Sequence, residues 1–358
     1  MKKRIILIIS IALAVAMISV LPLTGCKTEA PAETTVAETT AAATTVAETT
    51  AEETTAATEP VPQIVIEVTY GFSETEPTHV AFLEAKKAIE EKTDGRITFK
   101  LYPSNTYGTA VNCIQAVRMG VLACASAGFT AEFYKPAGAI YGPYLFRDYD
   151  HFYKFLESDY CQSLEDQVEN AAGYVILGNG HFGFRETILT KACETVDDFS
   201  KIKLRVSTAP PFEQAAVALG ATGTPIPITD VYMSIQTGVV DGSENPTSQI
   251  VGMKFYEVAK FLHLTDHMIA SQYWAFSRKW WNDLSPEDQA LVSETITAAQ
   301  REVERLVMEN IEADIQLMKD NGVTVLTPDK QQFMDRLPLT LEVYPEFAPV
   351  YEEVKKIQ

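Results

Sequence analysis

Residues 64–101 read IVIEVTYGFSETEPTHVAFLEAKKAIEEKTDGRITFKL, and this stretch decides the fold. Ile64, Ile66, Val68 and Tyr70 recur at every second position, the period of a half-buried strand. Pro77 then sits where a first helical turn has no backbone N–H to lose. After it Val80, Ala81, Leu83, Ala85, Ala88 and Ile89 recur near helical spacing, until Thr93-Asp94-Gly95 stops the helix. Ile97, Phe99 and Leu101 alternate as a second strand. A helix over Thr109 to Met119 and a strand over Val121 to Ala127 extend the rhythm. Strand, helix, strand, helix implies a parallel α/β lobe with right-handed crossovers.

The pattern restarts downstream. Tyr174–Leu177, Phe184–Leu189 and Lys201–Val206 read as strands. Pro211–Leu219 reads as a helix ended by Gly220, Ile228–Gly238 as a short helix and Val239–Gly242 as a turn. From Ser285-Pro286-Glu287 an N-capped helix runs to about Asp320 and stops at Asn321-Gly322. Globular helices average about 11–12 residues. One three times that length is too long for a single lobe and is predicted to lie across two. Ligands of open α/β sheets bind outside the carboxyl ends of the strands, which puts the expected site between the lobes.

Outside this body the chain changes character. Lys2, Lys3 and Arg4 precede an uncharged, mostly apolar run from Ile5 to Leu21. An uncleaved membrane anchor would look similar. Leu23-Thr24-Gly25-Cys26, however, matches a lipobox, in which small residues let a peptidase close around a cysteine that carries diacylglycerol. Residues 1–25 are thus read as a lipoprotein signal peptide and Cys26 as the lipidation site. Residues 26–62 form a lipidated tether of Ala, Thr, Glu, Val and Pro, in which Val36-Ala37-Glu38-Thr39-Thr40 returns as Val46-Ala47-Glu48-Thr49-Thr50. Without an aromatic residue it is expected to stay disordered, with an end-to-end distance of roughly 30–36 Å.

The net charge of −19 divides into +3 on the signal, −6 on the tether and −16 on the 296 residues that follow. So acidic a body argues against nucleic acid and anionic lipid as partners. It permits an anionic ligand, because one buried arginine acts at short range while distant charges are screened. Cys113, Cys124, Cys161 and Cys193 show no zinc-like spacing and read as buried apolar side chains, with one disulfide as the alternative. His263 and His267 are four residues apart, with Asp266 between them, and would share a helical face, but no further ligand clusters with them, so no metal or cofactor is expected. Nor is there a Gly-x-Ser-x-Gly nucleophile elbow, and no enzymatic activity is expected.

Five segments in order carry a resemblance. They are Tyr70-Gly71-Phe72 with Pro77-Thr78-His79 and Glu91–Ile97; Gly142-Pro143-Tyr144-Leu145-Phe146-Arg147-Asp148; Gly183-Phe184-Arg185; Lys203-Leu204-Arg205-Val206; and Gln236–Gly242 with Glu244-Asn245-Pro246, leading into Phe255–Val258. Together they resemble the solute receptors of tripartite ATP-independent periplasmic (TRAP) transporters, the dicarboxylate-receptor family. The resemblance implies a two-lobe, periplasmic-binding-protein-like flytrap with a long helix spanning both lobes. Lobe one would be 63–182 plus 271–310, and lobe two 183–270 plus 311–358. It implies an extracytoplasmic receptor, lipid-anchored to the cell membrane, that captures a small organic acid and hands it to the TRAP membrane subunits. The alternative is the solute-binding lipoprotein of an ATP-driven importer.

The same resemblance implies site residues. Arg205 is the expected carboxylate clamp, because a planar guanidinium offers a bidentate fork. Ile202, Leu204 and Val206 share a strand face, which puts Arg205 on the other. Arg185 is the second ligand-proximal arginine, unless it pairs with Glu186 or braces the structure. Asn245 contacts the ligand through its amide, or else stabilises its loop, and Glu244 is read as structural. Phe72 covers the ligand, and Trp274 lines the cleft. Ser126-Ala127-Gly128-Phe129 carries no carboxylate where relatives often have a polar contact. Phe129 there, with Tyr107, points to a less hydroxylated, aromatic or branched acid.

Overall fold

The computed structural model describes residues 63–129, 131–209 and 212–357; the signal segment, Cys26 and the tether lie outside the described residues. In chain order the elements are β1 (Ile64–Thr69), α1 (Pro77–Lys92), β2 (Ile97–Tyr102), α2 (Ala110–Arg118), β3 (Cys124–Ala127), α3 (Tyr149–Leu156), α4 (Asp159–Ala172), β4 (Tyr174–Leu189), α5 (Val196–Phe199) and β5 (Lys203–Val206). There follow α6 (Glu213–Leu219), β6 (Thr222–Pro225), α7 (Val231–Gln236), β7 (Gly242–Pro246), α8 (Thr247–Gly252), α9 (Phe255–Val258), β8 (Phe261–Ser277) and α10 (Arg278–Asp283). The last are α11 (Pro286–Asp320), β9 (Thr324–Leu326), α12 (Gln331–Met334), α13 (Leu337–Val343) and α14 (Ala348–Val354).

The opening stretch folds as β1-α1-β2, with β1 parallel to both β2 and β3. In α1 the inward stripe is Ala81, Phe82, Ala85 and Ile89, whereas Val80 and Leu83 are about two-fifths exposed. The helix is therefore rotated from the sequence reading, because Phe82 buries more apolar area than either of them.

The strands join one sheet in the order β2-β1-β3-β8-β4-β7-β5-β6, with β9 beside β8. Two strands cross it from end to end. The 16-residue β4 and 17-residue β8 run antiparallel, from Tyr174 opposite Ser277 to Leu189 opposite Phe261. The β3 strand pairs with the last residues of β8, while β9 pairs with its first and β7 with the end of β4. Residues 182/183 and 270/271, the expected lobe boundaries, fall inside β4 and β8.

The two short strands read over Tyr174–Leu189 are one, broken by register shifts rather than by a loop. Gly180 and Gly183 explain the misreading. A Cβ at Gly180 would stand 1.9 Å from Glu304 Oε1, and at Gly183, with φ of +108°, 3.1 Å from Val307 Cγ1. Glycine lets β4 lie directly on α11 where it crosses. That helix begins as expected, with Ser285 Oγ accepting from Asp288 N at 3.2 Å, and it buries Val292, Ile296, Ala299, Val303 and Val307 along one stripe. It packs along α1, crosses β4 and reaches α8. Cys113, Cys124, Cys161 and Cys193 are buried and unbonded, the packed alternative of the sequence reading. No helix among the described residues is long and apolar enough to cross a membrane.

Candidate ligand-binding site

Three adjacent strands assemble the polar centre. Arg185 lies at the end of β4 and Glu244 and Asn245 on β7, where Glu186 stands opposite Asn245 and Thr187 opposite Glu244. On β5, Arg205 stands opposite Ser243. Lys203 is exposed, but both faces of β5 beyond it are buried, so Arg205 is only 3% exposed.

The two guanidinium groups are bound differently. Arg185 is spent on protein partners. Its Nε and Nη2 donate to the carboxylate of Glu244, the latter at 2.9 Å, and Nη2 also donates to Glu244 O at 2.7 Å. Its guanidinium carbon sits 4.9 Å from the centre of the Phe212 ring. Glu186, the alternative partner, faces away from Arg185 and accepts from Asp266 N at 2.9 Å. Burial alone would raise the Glu244 carboxyl, but Arg185, with His267, overrides it and holds the group below its usual range.

Arg205 has no such partner. Its Nε donates to Ile226 O at 2.8 Å, and among the described residues no ion pair reaches its terminal nitrogens. Burial pushes this group down to about 10, with Glu244 opposing and Arg185 adding to the shift, so it stays charged at neutral pH. A buried cation with unspent, fork-shaped donors is an incomplete interaction. Asn245 is partly committed, since its Oδ1 accepts from Ser243 Oγ and its Nδ2 donates to Gln249 Oε1, both at 2.6 Å.

A cavity of about 210 Å³ lies at the carboxyl ends of β1 and β3 and reaches Ser207, two residues beyond Arg205; Arg185, Arg205 and Asn245 do not themselves line it. Phe72 lines it, packed edge-on against Phe182 with ring centres 4.9 Å apart. Phe212 lines it too, between Arg185 and the open space, and stacks obliquely on Tyr141 at 4.6 Å. Phe129 and Trp274 do not line it. Phe129 is fully buried edge-on to Tyr273, and Trp274 packs 4.1 Å from Phe82 while its indole donates to Gln300 Oε1 at 3.1 Å. Both belong to the packed interior: burying a large ring there contributes more than exposing it to the cleft. His263 and His267 lie on β8 rather than a helix, one accepting from Cys193 N at 3.0 Å and the other beside Glu244.

Missed by sequence reasoning were Phe212, Phe182 and Tyr141, apolar residues with no motif of their own, and the full commitment of Glu244 to Arg185. Buried charges require partners, and that rule was the one available signal for the pair.

A larger cavity of about 1030 Å³ lies between α11 and the crossing strands. Its cations are already paired: Lys330 with Asp266, Arg147 with Asp148 at 2.7 Å and Lys355 with Glu352 at 2.9 Å. Size favours this cavity; the smaller one ends at Ser207, two residues from the uncommitted Arg205.

The family model of bacterial extracellular solute-binding protein, family 7, matches residues 68–347. The chain belongs to this family. It is 31% identical over 262 residues to the sialic acid-binding periplasmic protein SiaP of Vibrio cholerae, covering 72% of this chain and 80% of that one. It is 30% identical over 299 residues to the 2,3-diketo-L-gulonate-binding periplasmic protein YiaO of Escherichia coli, covering 81% and 90%. Among solved structures, the TRAP periplasmic solute-binding protein of Pseudomonas putida F1 with bound D-glucuronate superposes with a TM-score of 0.77 at 26% identity, covering 82% of this chain and 98% of that one. That of Actinobacillus succinogenes 130Z with bound L-galactonate gives 0.76 at 27%, covering 82% and 99%. This family 7 chain is a TRAP-type solute-binding receptor with the two-lobe fold, and the ATP-driven importer alternative finds no support in these matches.

Proposed function

We propose that this receptor captures a small organic acid by its carboxylate on Arg205, closes its lobes over it and delivers it to TRAP membrane subunits, without acting on it chemically. One observation carries the reading: Arg205 is buried and charged, yet spends one donor on a backbone carbonyl while the neighbouring carboxylate is held by Arg185. A ligand carboxylate supplies the missing partner in the geometry the fork prefers. Arg185 then acts as a brace that keeps Glu244 from competing, and Asn245 presents its remaining amide capacity beside the clamp. Sugar acids bound by related structures support an acid as the solute class.

The lobe limits given above, 63–182 plus 271–310 and 183–270 plus 311–358, belong to this proposal, with β4 and β8 as the crossing segments. Export, and lipid attachment at Cys26, belong to it as well, supported by the basic start, the apolar run and Leu23-Thr24-Gly25-Cys26.

The clamp is tested by titrating the bound acid against Arg205→Ala. Losing one partner of a desolvated charge pair costs about 2–5 kcal/mol, or roughly 30- to 4,000-fold in affinity. Arg205→Lys keeps the charge without the fork and should also weaken binding. Undiminished affinity in either folded variant would remove Arg205 from the site.

A further inference from the structure

The helices α1 and α8 belong to different hydrophobic cores, and one acidic side chain joins them. Phe82 and Ile89 of α1 pack with β1, β2 and the first half of α11, whereas Ile250 of α8 packs with Ile188, Leu262 and Met318. Each helix lies against α11. Glu76, at the start of α1, reaches across to α8. A turn fixes its side chain, since Glu76 N donates to Ser73 O at 3.1 Å and Ser73 N donates back to Glu76 Oε1 at 2.7 Å. The side chain then lies against Gly252, the last residue of α8. A Cβ there would stand 2.5 Å from Cγ, 2.8 Å from Cδ and 3.0 Å from Oε1 of Glu76.

Gly252 has a φ outside the left-handed region, so its backbone would accept alanine, which a helix prefers. The missing Cβ serves the contact with Glu76 rather than the turn of the chain. Nothing balances the buried carboxyl. Its Oε2 has no partner, and α8 carries no ionisable side chain. Among the described residues, the ionisable group that bears on it is Asp314 of α11, another acid. Burial, with a smaller contribution from Asp314, raises the seated Glu76 to about 7, while a Glu76 released into water returns to its ordinary 4.5. Seating therefore takes up a proton between those values, and the seat weakens as pH rises through them.

We propose that Glu76 and Gly252 form a latch between the lobes, seated when they close and released when they open, which makes closure sensitive to protons. The latch rests on the lobe limits and the closure proposed above. The test places spin labels at Lys87→Cys on α1 and Met233→Cys on α7, both exposed, in the full chain carrying Cys26→Ser; the other four cysteines are buried. Pulsed electron resonance reads the distance between the labels, with and without excess D-glucuronate. At pH 5, Gly252→Ala and Glu76→Ser should each shift that distance to longer values, and the double variant should go no further than either alone. From pH 5 to pH 8 the labelled parent should lengthen, while Glu76→Gln, which needs no proton, stays short at both. Shifts that add in the double variant, or the same pH response in Glu76→Gln, overturn the latch. If D-glucuronate shortens the distance but no variant or pH change moves it, the latch is overturned and closure stands. If nothing moves the distance, closure fails and the latch with it.

Discussion

Glu76 immediately precedes α1 and is 2% exposed, with its Oε1 accepting from Ser73 N at 2.7 Å and its Oε2 unpartnered. It is pressed against the end of α8, where a Cβ on Gly252 would stand 2.5 Å from Glu76 Cγ. The neighbouring acid on α11 is Asp314, itself pushed up to about 6 by burial against the hydrogen bond from Thr247. Burial, with a smaller contribution from Asp314, raises Glu76 to about 7. Between its ordinary 4.5 and 7 the folded protein holds a proton that the unfolded chain has lost, so stability falls as pH rises through that window. The shift corresponds to roughly 3 kcal/mol. His181 and His263, lowered by burial to about 3 and 4, act in the opposite sense, so the comparison must be with Glu76→Gln. That variant should melt near the wild type at pH 5 and several degrees above it at pH 8. Parallel melting curves at every pH would show that Glu76 carries no such proton.

At the scale of elements, β4 and β8 decide how much could be read in advance. The β1-α1-β2 unit was legible because one face of each strand is buried and α1 has clear stop signals. Arg185, Arg205 and Asn245 each sit in a recognisable motif, and the sheet places their strands β4, β7 and β5 side by side. The crossing strand β4 was not legible, since glycines at 178, 180 and 183 look like loop residues until α11 is seen lying on them. Phe129 and Trp274, expected at the ligand, are buried in the interior and do not line the smaller cavity. Phe212 was invisible because its role comes from a cation on a distant strand. The proposed closure of the lobes would bend these two strands where their pairing shifts, between Leu177 and Thr187. Small-angle scattering with saturating ligand should therefore show a smaller radius of gyration than without it. An identical scattering curve in both states would argue for a receptor that does not close.

For the molecule as a whole, the acidic body and tether set its range. If Cys26 is lipidated as proposed, the 36 residues after it set how far the body can stand from its anchor, roughly 30–36 Å for a flexible coil. Cys26→Ser should release the protein into the medium and abolish labelling by a radiolabelled fatty acid. Retention at the membrane with the label intact would refute attachment at that residue. The shared pair of strands has one more consequence. Lobes joined by loose linkers swing on a pin, with no preferred angle. Lobes joined through a hydrogen-bonded ribbon are mounted on a leaf spring, which has a rest position and returns to it. Cargo binding would then load the spring, and the recoil on unloading would reset the receptor for another cycle without any outside source of work.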